Sequence, residues 1–567
     1  MKDQLIEPIK YYDSTGAPTH KENSEKLFNE YLEKSRINVE ENRQTVSEYK
    51  EEEANIAALA KIISKFKLFR GLLITGIIVG VVLSIISFSQ FSETVWLGIL
   101  LIVAGVGAIA TSIYFLVKKV NPVIKDTNAK KNEHIEVANQ IKSRAFEQMA
   151  PLNALFTDED ALRLVEQTIP EISFDKMFTR EQERLFVDKY DFIDLQDDDC
   201  SMVDTLSGRF SGNPFLFGRR RVTYMGTHTY RGSLVITWTE TYRDGQGNVR
   251  TRTRSQTLTA TVTKPKPYYY TNTFLAYGSQ AAPDLTFSRK SKHSEGLSDK
   301  ALEKRIKKGE SKLHKQSAKA IKTGGTFQEM ANTEFDVLFD ATDRDNEVEF
   351  RFMYTPLGQT NTIALLKDSA HYGDDFNFTK HHRMNIISSD HAQKWSMNTS
   401  ADNYRSFDFD DAYKRFMSFN ENFFKSIFFD FAPLLSVPAY LDEPCVALEG
   451  EEEYDRAYTS YEHEVLLNAN GYSDFVHDSS DTEAILKAQL VSSADGVDTV
   501  AVTAYSYHTE DRIDYVSVKG GDGNYHNVPV PWIEYLPVNK TSHVTISSVT
   551  PESEGVTYHG MLLNHIN

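Results

Sequence analysis

Two long apolar stretches, separated by a short polar break, constrain this chain more than any other feature. Residues 68–88 and residues 95–117 each come close to the roughly 20 apolar residues with which an α-helix crosses a bilayer core. The break between them, Ser89 to Thr94, is long enough only for a turn. The sequence therefore predicts a transmembrane hairpin over residues 68–117.

Basic residues flank both ends of this hairpin, and the break carries none. They are Lys61, Lys65, Lys67 and Arg70 before it and Lys118, Lys119 and Lys125 after it. Since segments rich in Lys and Arg stay in the cytoplasm, we expect a cell-membrane protein with two spans and both termini in the cytoplasm. A cleaved signal peptide, the rival interpretation, would be a single apolar run close to the N-terminus.

Several glycines lie within the two apolar stretches. They are Gly71, Gly76, Gly80, Gly98, Gly105 and Gly107. Small residues let two membrane helices approach closely. Glycine is also simply tolerated in membrane helices, and the sequence favours neither interpretation over the other.

Cysteine content and net charge argue against two classes of protein. Only Cys200 and Cys445 occur in 567 residues, which disfavours a disulfide-stapled extracellular domain and suits a reducing cytoplasm. The formal net charge of -18 disfavours a nucleic-acid partner for the chain as a whole.

Composition divides the chain into helical and β-rich parts. We predict an α+β protein in which a two-helix transmembrane hairpin and a helical stalk are followed by mixed β-rich cytoplasmic domains. The predicted segments are an N-terminal tail and charged cytoplasmic helix (1–67), the hairpin (68–117), a cytoplasmic helical segment (118–175), the first part of a β-rich domain (176–287), a basic helical linker (288–330), an α+β continuation of that domain (331–445) and a C-terminal β-rich domain (446–567).

Charged helices are predicted on both sides of the hairpin, over residues 24–67 and 124–149, because apolar residues recur there at helical spacing. We expect them to pair as a coiled-coil stalk; two independent solvated helices are the alternative. Residues 1–20 contain Pro8, Gly16 and Pro18 and are predicted to form a loose tail.

From residue 215 onward the pattern changes to alternating Thr, Val, Tyr and Trp residues, which is typical of strands. If the loop Asp244 to Asn248 sets the register of its hairpin, Glu240 lies opposite Arg252 in a ladder of ion pairs and cation–π contacts. An anion-binding face formed by the arginines is the alternative. Alternation also predicts strands over residues 335–340 and 347–354.

The order of these parts resembles that of a known family. The run Phe335 to Asp340 and the phrase Arg351-Phe-Met-Tyr-Thr-Pro-Leu357, placed after a membrane hairpin and a β segment, are similar to a bacterial membrane-protein family called domain of unknown function 3137. The resemblance covers roughly residues 60–445. It implies an anchored cytoplasmic domain and carries no activity or site residues.

A basic stretch in this acidic chain, residues 288–322, predicts a helix over residues 300–322. The basic residues in its first part are Lys300, Lys304, Arg305, Lys307, Lys308, Lys312 and Lys315. Beside a membrane anchor such a helix can lie against anionic lipid headgroups, each charge contributing on the order of 1 kcal/mol. Its apolar face is thin, so a solvated helix or linker is the alternative.

One cluster of histidines and carboxylates offers possible chemistry. It contains His371, Asp374, Asp375, His381, His382, Asp390 and His391. Metal-binding histidines usually lie a few residues apart on one element, whereas most of these are widely spaced, so a metal site requires convergence in space. No P-loop, nucleophile elbow or Cys-x-x-Cys motif is present, and no cofactor is predicted.

A third apolar run, residues 419–441, contains Lys425, Asp430, Pro433 and Pro438. Because a charge in the bilayer centre is costly, we exclude a third span. A buried core helix is favoured over an aromatic face that dips into the membrane interface.

The absence of a catalytic motif favours a non-enzymatic protein. We expect a membrane-anchored, cytoplasm-facing scaffold or interaction module near the inner leaflet, which binds a protein partner or itself. The alternatives are a membrane-proximal enzyme that uses the cluster from His371 to His391, and a module that senses anionic lipid through the basic helix.

Overall fold

The computed structural model describes residues 2–90, 95–192, 199–243, 245–394, 397–442, 458–494, 496–548, 557–558 and 561–566. Two compact units make up the chain. Unit 1 comprises Met1–His20, Leu162–Asn398 and Asn422–Asn567, and unit 2 comprises Lys21–Ala161 and Thr399–Glu421. The α+β class is confirmed, because long helices and antiparallel sheets both occur.

The α-helices of the described ranges are as follows. In chain order they are α1 (Lys2–Leu5), α2 (Pro8–Tyr11), α3 (Ala17–Ser35), α4 (Val39–Gln90), α5 (Val95–Phe115), α6 (Asn121–Asn153), α7 (Asp160–Thr168), α8 (Arg180–Tyr190), α9 (Asp299–Thr323), α10 (Thr333–Phe339), α11 (Glu347–Met353), α12 (Pro356–Lys367), α13 (Phe409–Leu435), α14 (Ala439–Asp442) and α15 (Ser460–Asn470). Single π-helical turns, Tyr12–Gly16 and Leu116–Val120, join α2 to α3 and α5 to α6.

The strands of the described ranges form two sheets in which each pair of neighbours is antiparallel. In chain order they are β1 (Ile172–Phe174), β2 (Cys200–Phe210), β3 (Asn213–Arg243), β4 (Val249–Gly278), β5 (Thr286–Arg289), β6 (Phe376–His381), β7 (Met384–Ser389), β8 (Ile485–Ala494), β9 (Val497–Lys519), β10 (Tyr525–Ser548), β11 (Thr557–Tyr558) and β12 (Met561–Ile566). One sheet has the order β1-β2-β3-β4-β7-β6-β5 and the other β11-β12-β10-β9-β8.

Unit 2 is built around a long antiparallel helical hairpin. The first arm is α4, and the second arm is α5 continued by α6. Contacts run from Glu41 with Gln148 at one end to Gly80 with Gly105 near the other, which corresponds to about 60 Å at the α-helical rise of 1.5 Å per residue. Both arms are long and apolar enough to cross a membrane. The predicted turn falls mostly on residues 91–94, which lie outside the described ranges.

The glycines of the two apolar stretches differ in their surroundings. A Cβ atom at Gly80 would lie 2.7 Å from the carbonyl oxygen of Gly105, and one at Gly76 would lie 2.9 Å from the Ser112 hydroxyl. Gly71 and Gly107 would meet no neighbouring atom within 4 Å. Close approach of the two helices therefore explains Gly76 and Gly80, and simple tolerance of glycine explains Gly71 and Gly107.

The charged parts of α4 and α6 pair with each other, as the stalk prediction requires. His134 Nδ1 lies 2.5 Å from Glu52 Oε2, and Arg144 pairs with Glu48. At the end of this paired region Arg43 forms an ion pair of 2.8 Å with Asp410. The first two pairs join carboxylates of α4 to basic side chains of α6, and this favours the antiparallel alignment of the two helices.

In unit 1 the longest hairpin, β3–β4, has the predicted register. Glu240 is paired with Arg252 across the strands. Its ion pair, however, is made diagonally, with Arg254 Nε at 2.6 Å from Glu240 Oε2. A diagonal neighbour lies within reach of a long arginine side chain. Asp244 of the connecting loop lies outside the described ranges.

Apolar clusters join helices to both sheets of unit 1. Phe178, Phe186 and Tyr190 of the α8 region pack against Leu216 and Phe274 of the first sheet. A second cluster places Leu466 and Leu467 of α15 against β8, β9, β10 and β12. The two sheets also meet directly, where residues of β3 and β4 pack on β10. Unit 1 thus has an extended core made by both of its sheets.

The strands predicted over residues 335–340 and 347–354 are wrong, because α10 and α11 occupy these positions. The side chain of Asn332 accepts a hydrogen bond from the Phe335 amide, and Asn346 caps the second helix in the same way. Phe335 and Phe339 lie one helical turn apart and stack at 5.2 Å. A spacing of four residues puts these two aromatic side chains on one face of a helix. The helix caps favour this helix over the strand that the alternating pattern predicted.

The loose tail predicted for residues 1–20 is also wrong for the described residues. This segment is largely helical, and Leu5, Tyr11 and Tyr12 are buried. Tyr12 stacks on Phe424, with ring centroids 5.9 Å apart. Aromatic burial outweighs the helix-breaking tendency of the local sequence.

The third apolar run forms part of α13, and the predicted core helix is confirmed. In the part of this helix that belongs to unit 1, Phe423, Phe424, Ile427, Phe428 and Phe431 are buried. Pro433 lies inside its last turn.

Candidate functional site

The predicted histidine cluster is divided by the β6–β7 hairpin. Phe376 pairs with Ser389 at the open end of this hairpin, and His381 pairs with Met384 at its turn. His391 follows the open end, whereas His381 ends β6 and His382 begins the turn. Strands of this length separate the two ends by about 17 Å at 3.3 Å per residue. The four histidines therefore do not converge on one site.

At the open end, His391 lies between two aspartates. Its Nδ1 is 2.7 Å from Asp375 Oδ2, and its Nε2 is 3.3 Å from Asp430 Oδ1. The Asp375 carboxylate also accepts a hydrogen bond from the His391 amide at 3.1 Å. Ser389 donates its hydroxyl proton to Asp430. The segment before β6, the segment after β7 and helix α13 thus meet at one imidazole.

Tyr372 covers this imidazole. Its ring stacks on His391 with centroids 3.9 Å apart and almost parallel planes. Lys425 lies over the same tyrosine ring at 5.0 Å. With this cover the His391 side chain is only 5% exposed, and solvent screening of its ion pairs is weak.

The charges around His391 determine its protonation. Burial by itself lowers the pKa of the imidazole, but Asp430 and Asp375 outweigh burial and raise the pKa to about 10. Near neutral pH the ring is therefore an imidazolium in which both nitrogens are protonated. An imidazolium has no free lone pair, so His391 neither ligates a metal nor accepts a proton while it is held in this way.

Of the remaining histidines, His371 has partners of its own, whereas the rings of His381 and His382 contact each other with centroids 4.5 Å apart. His371 lies between Asp368, at 2.7 Å, and Asp13, at 3.2 Å, and stacks on Phe429. His382 has a positive φ of 54° and contacts the Pro283 carbonyl oxygen at 3.2 Å through Nδ1. His381 is exposed. Among the described residues, no group of three or more His, Cys, Asp or Glu side chains is arranged to hold a metal ion.

Lys380, one residue before His381, is a buried amine that sequence reasoning missed. Its Nζ donates to the carbonyl oxygens of Ala281, at 2.9 Å, and His382, at 2.7 Å. Burial lowers the pKa of Lys380 to about 7. The signal was present in the sequence, because Phe376, Phe378 and Lys380 alternate along one face of β6. The sequence shows Asp430 as a charge within an apolar run, but spacing does not predict its histidine partner.

The predicted basic helix exists as α9, Asp299–Thr323, and it borders a cleft with a volume of about 890 Å³. Six of the thirteen residues that line the cleft are cationic. They are Lys292, Lys304, Arg305, Lys308, Lys312 and Lys315. Of the basic residues singled out from the sequence, Lys300 and Lys307 are not among the lining residues. Lys292 was not foreseen, because it precedes the helix.

The inner face of α9 fixes the helix in unit 1. Leu313 and Ala320 pack with Phe327 and Val337 in a small apolar cluster. The helix ends at Gly324, whose positive φ of 73° is the usual left-handed cap. The lysines on the other faces are left for solvent or a ligand.

No protein-family model, no curated protein and no solved structure matches the chain. The resemblance to domain of unknown function 3137 therefore stays a prediction.

Proposed function

We propose that the protein is a membrane-anchored scaffold or interaction protein whose anchor is the pair α4 and α5. The observation that carries this proposal is the exposure of apolar side chains. In the most apolar 18-residue window of each arm, only 6% and 11% of the residues are buried. A core helix of a water-soluble protein would be mostly buried. Exposed apolar surface costs about 25 cal/mol per Å² in water, and a bilayer removes this cost.

The distribution of basic residues supports a single membrane boundary at the base of this pair. The contact of Gly76 with Ser112, continued along both antiparallel helices, brings Arg70 level with Lys118. The π-helical turn Leu116–Val120 lies at the same level. Basic flanks at one end of both helices agree with a cytoplasmic stalk and with both termini in the cytoplasm.

The surface of unit 1 supports a binding role rather than an enzymatic one. The hairpins β3–β4 and β9–β10 expose several large apolar side chains, among them Val235, Tyr242, Ile513, Tyr515 and Tyr525. Apolar and aromatic side chains of this kind are what a protein partner or a second copy of the chain buries. The imidazolium at His391 does not support general-base chemistry at that position.

Extraction and protease protection of the full chain test the anchor. We expect the protein to stay in the membrane fraction in alkaline carbonate. Tags at both termini should be cleaved by added protease in inside-out vesicles and protected in right-side-out ones. Release by carbonate would overturn the anchor, and cleavage of either tag in sealed right-side-out vesicles would overturn the orientation.

Native mass spectrometry of the full chain, released from native membranes in nanodiscs, tests the scaffold role. We expect a stoichiometric complex with a second copy or a partner, and its loss in the double variant Ile513→Ser, Tyr515→Ser. The matched control is Ser517→Ala, Lys519→Gln on the same exposed face of β9, which should keep the complex. A strictly monomeric wild-type chain would argue against a scaffold.

A further inference from the structure

The cleft beside α9 concentrates positive charge on one face of a helix. Lys304, Lys308, Lys312 and Lys315 follow one another at intervals of three or four residues, and all four line the cleft. Lys292 and Arg305 add two further cations. Asp340 is the one acidic residue of the lining, and it already pairs with Lys292. The cleft is therefore strongly cationic within a chain whose net charge is -18.

The wall of this cleft is held in place by specific contacts. Gly309 faces Val337 so closely that a Cβ atom at Gly309 would collide with the valine side chain. Arg305 NH1 donates to the Lys292 carbonyl oxygen at 2.9 Å and contacts the Ser294 hydroxyl at 3.2 Å. The same hydroxyl donates to Asp374 at 2.7 Å. Arg305 and the backbone of Lys292 are thus preorganised before any ligand arrives.

Repulsion between the lysines of this row destabilises α9 unless an anion neutralises their charge. Within the part of the chain that the structure describes, Lys304, Lys308, Lys312 and Lys315 form no ion pair. Like charges one helical turn apart destabilise a helix by about 0.2–0.5 kcal/mol per pair. A bound anion would relieve this repulsion, because opposite charges attract at short range.

We propose that this cleft binds a compact anion that carries at least two phosphate groups. Lysine is a point-charge donor suited to phosphate oxygens. The lysine row from Lys304 to Lys315 rises about 16 Å at 1.5 Å per residue, whereas one phosphate reaches only two neighbouring turns. The volume of about 890 Å³ falls within the range of about 300–1,000 Å³ that small-molecule sites occupy.

Two sources supply this chemistry, a phospholipid headgroup with two phosphates and a soluble diphosphate. The inference does not depend on the proposed anchor, because the cleft is formed entirely within unit 1. Loss of the membrane assignment would leave the soluble source, so the two proposals fail separately.

Calorimetric titration of the full chain with pyrophosphate, in nanodiscs of phosphatidylcholine, tests the site. The cleft variant is Lys304→Gln, Lys308→Gln, Lys312→Gln. The matched control is Lys300→Gln, Lys307→Gln, Lys322→Gln, which removes the same charge from exposed positions of α9 outside the lining. We expect the cleft variant to bind pyrophosphate about tenfold or more weakly than wild type, since charge-assisted contacts are lost, and the control to bind almost as wild type does.

A thermal-shift measurement guards against loss of the fold. Without ligand, the cleft variant should melt at or above the wild-type temperature, because repulsion within α9 is reduced. Added pyrophosphate should raise the melting temperature of wild type and control but not of the cleft variant. The proposal would be overturned if wild type did not bind pyrophosphate. It would also be overturned if both triple variants lost the same affinity, because the anion would then respond only to the net charge of the helix and not to the cleft.

Cardiolipin in the nanodisc distinguishes the two sources, because its headgroup carries two phosphates. A fall in the apparent affinity of wild type for pyrophosphate, absent in the cleft variant, would support the site and assign it to a lipid headgroup. An unchanged affinity would support the site and assign it to a soluble diphosphate.

Discussion

Two apolar helical regions of this protein differ in whether their large side chains are buried. The apolar parts of α4 and α5 contact each other through small residues such as Gly80 and Gly105 and leave large side chains exposed. The segment of α13 that belongs to unit 1 is buried among aromatic rings of the first sheet. Both regions are rich in apolar residues, so apolar content alone does not distinguish them.

The two regions differ in their charged residues and in the partners of those residues. Asp430 of α13 meets His391 and Ser389 in the protein interior. Buried charges of this kind are tolerated only with such partners. Within residues 71–88 and 95–117 the sequence has no charged side chain. An apolar helix whose few charges have partners belongs to a protein core, and one without charges suits a bilayer.

The largest expected effect is the loss of stability when a buried aromatic side chain of α13 is truncated. Phe431 is 1% exposed and packs on Phe210 and Phe215, with ring centroids 4.9 and 5.2 Å away. Phe431→Ala should lower the free energy of unfolding of unit 1 by about 3–5 kcal/mol. Chemical denaturation of the full chain in detergent micelles measures this change.

The matched truncation in the hairpin is Leu100→Ala, at a side chain that is 65% exposed. It should change the free energy of unfolding by less than about 0.5 kcal/mol, as exposed positions usually do. If both substitutions lowered the free energy of unfolding equally, the hairpin would also be a packed core and the two regions would not differ.

The next effect concerns the buried charge pair of α13. His391→Gln should cost about 1.5–3 kcal/mol at pH 6, the range for hydrogen bonds to charged groups. Because the pKa of His391 is raised to about 10 from an unfolded value near 6.5, its stabilisation is complete below pH 6.5. It declines as pH rises and is lost by about pH 10. Denaturation curves at several pH values measure this.

His391 contacts Asp375, Asp430, the Ser426 carbonyl oxygen and the ring of Tyr372. In the His391→Gln variant the loss of stability between pH 6.5 and 10 should be much smaller than in wild type. The control is His477→Gln, since His477 is exposed and its ring contacts Ser479, two residues away, and it should keep the wild-type profile. Parallel pH profiles for wild type and His391→Gln would contradict a charged His391.

The smallest of these effects tests the close approach of α4 and α5. Gly80→Leu forces a side chain against the backbone of Gly105 and should cost about 1–3 kcal/mol, as overpacking does. Gly107→Leu, where a Cβ atom meets open space, should cost much less. Thermal unfolding in micelles, followed by circular dichroism, measures both. A similar cost at the two glycines would show that tolerance alone explains their presence.

Much of the fold could be predicted because its signals are local. The apolar stretches, the basic helix α9 and the register of Glu240 with Arg252 all follow from periodicity or from a short loop. The strands expected at residues 335–340 and 347–354 are wrong because runs of six to eight residues are compatible with both the helical and the strand period. The Asn332 and Asn346 caps decide for the helix.

The candidate sites were less predictable, because they join residues that are distant in the chain. Asp375 and Asp430 meet at His391 although they are far apart in sequence. The wide spacing of the histidines made a shared metal site depend on convergence in space, and the β6–β7 hairpin instead carries His381 and His391 to opposite ends. The lysines of α9 were visible as a charge run, but the cleft beside them requires Lys292, Val337 and Asp340.

By itself the sequence determined the apolar hairpin, its basic flanks and the basic helix, since composition and periodicity act over neighbouring residues. The tertiary structure alone decided which charges are paired and which stay free. Asp430 is neutralised by a histidine in the core, while Lys304, Lys308 and Lys312 face an open cleft. Pairing depends on which segments folding brings within a few ångströms, and no local pattern records that distance.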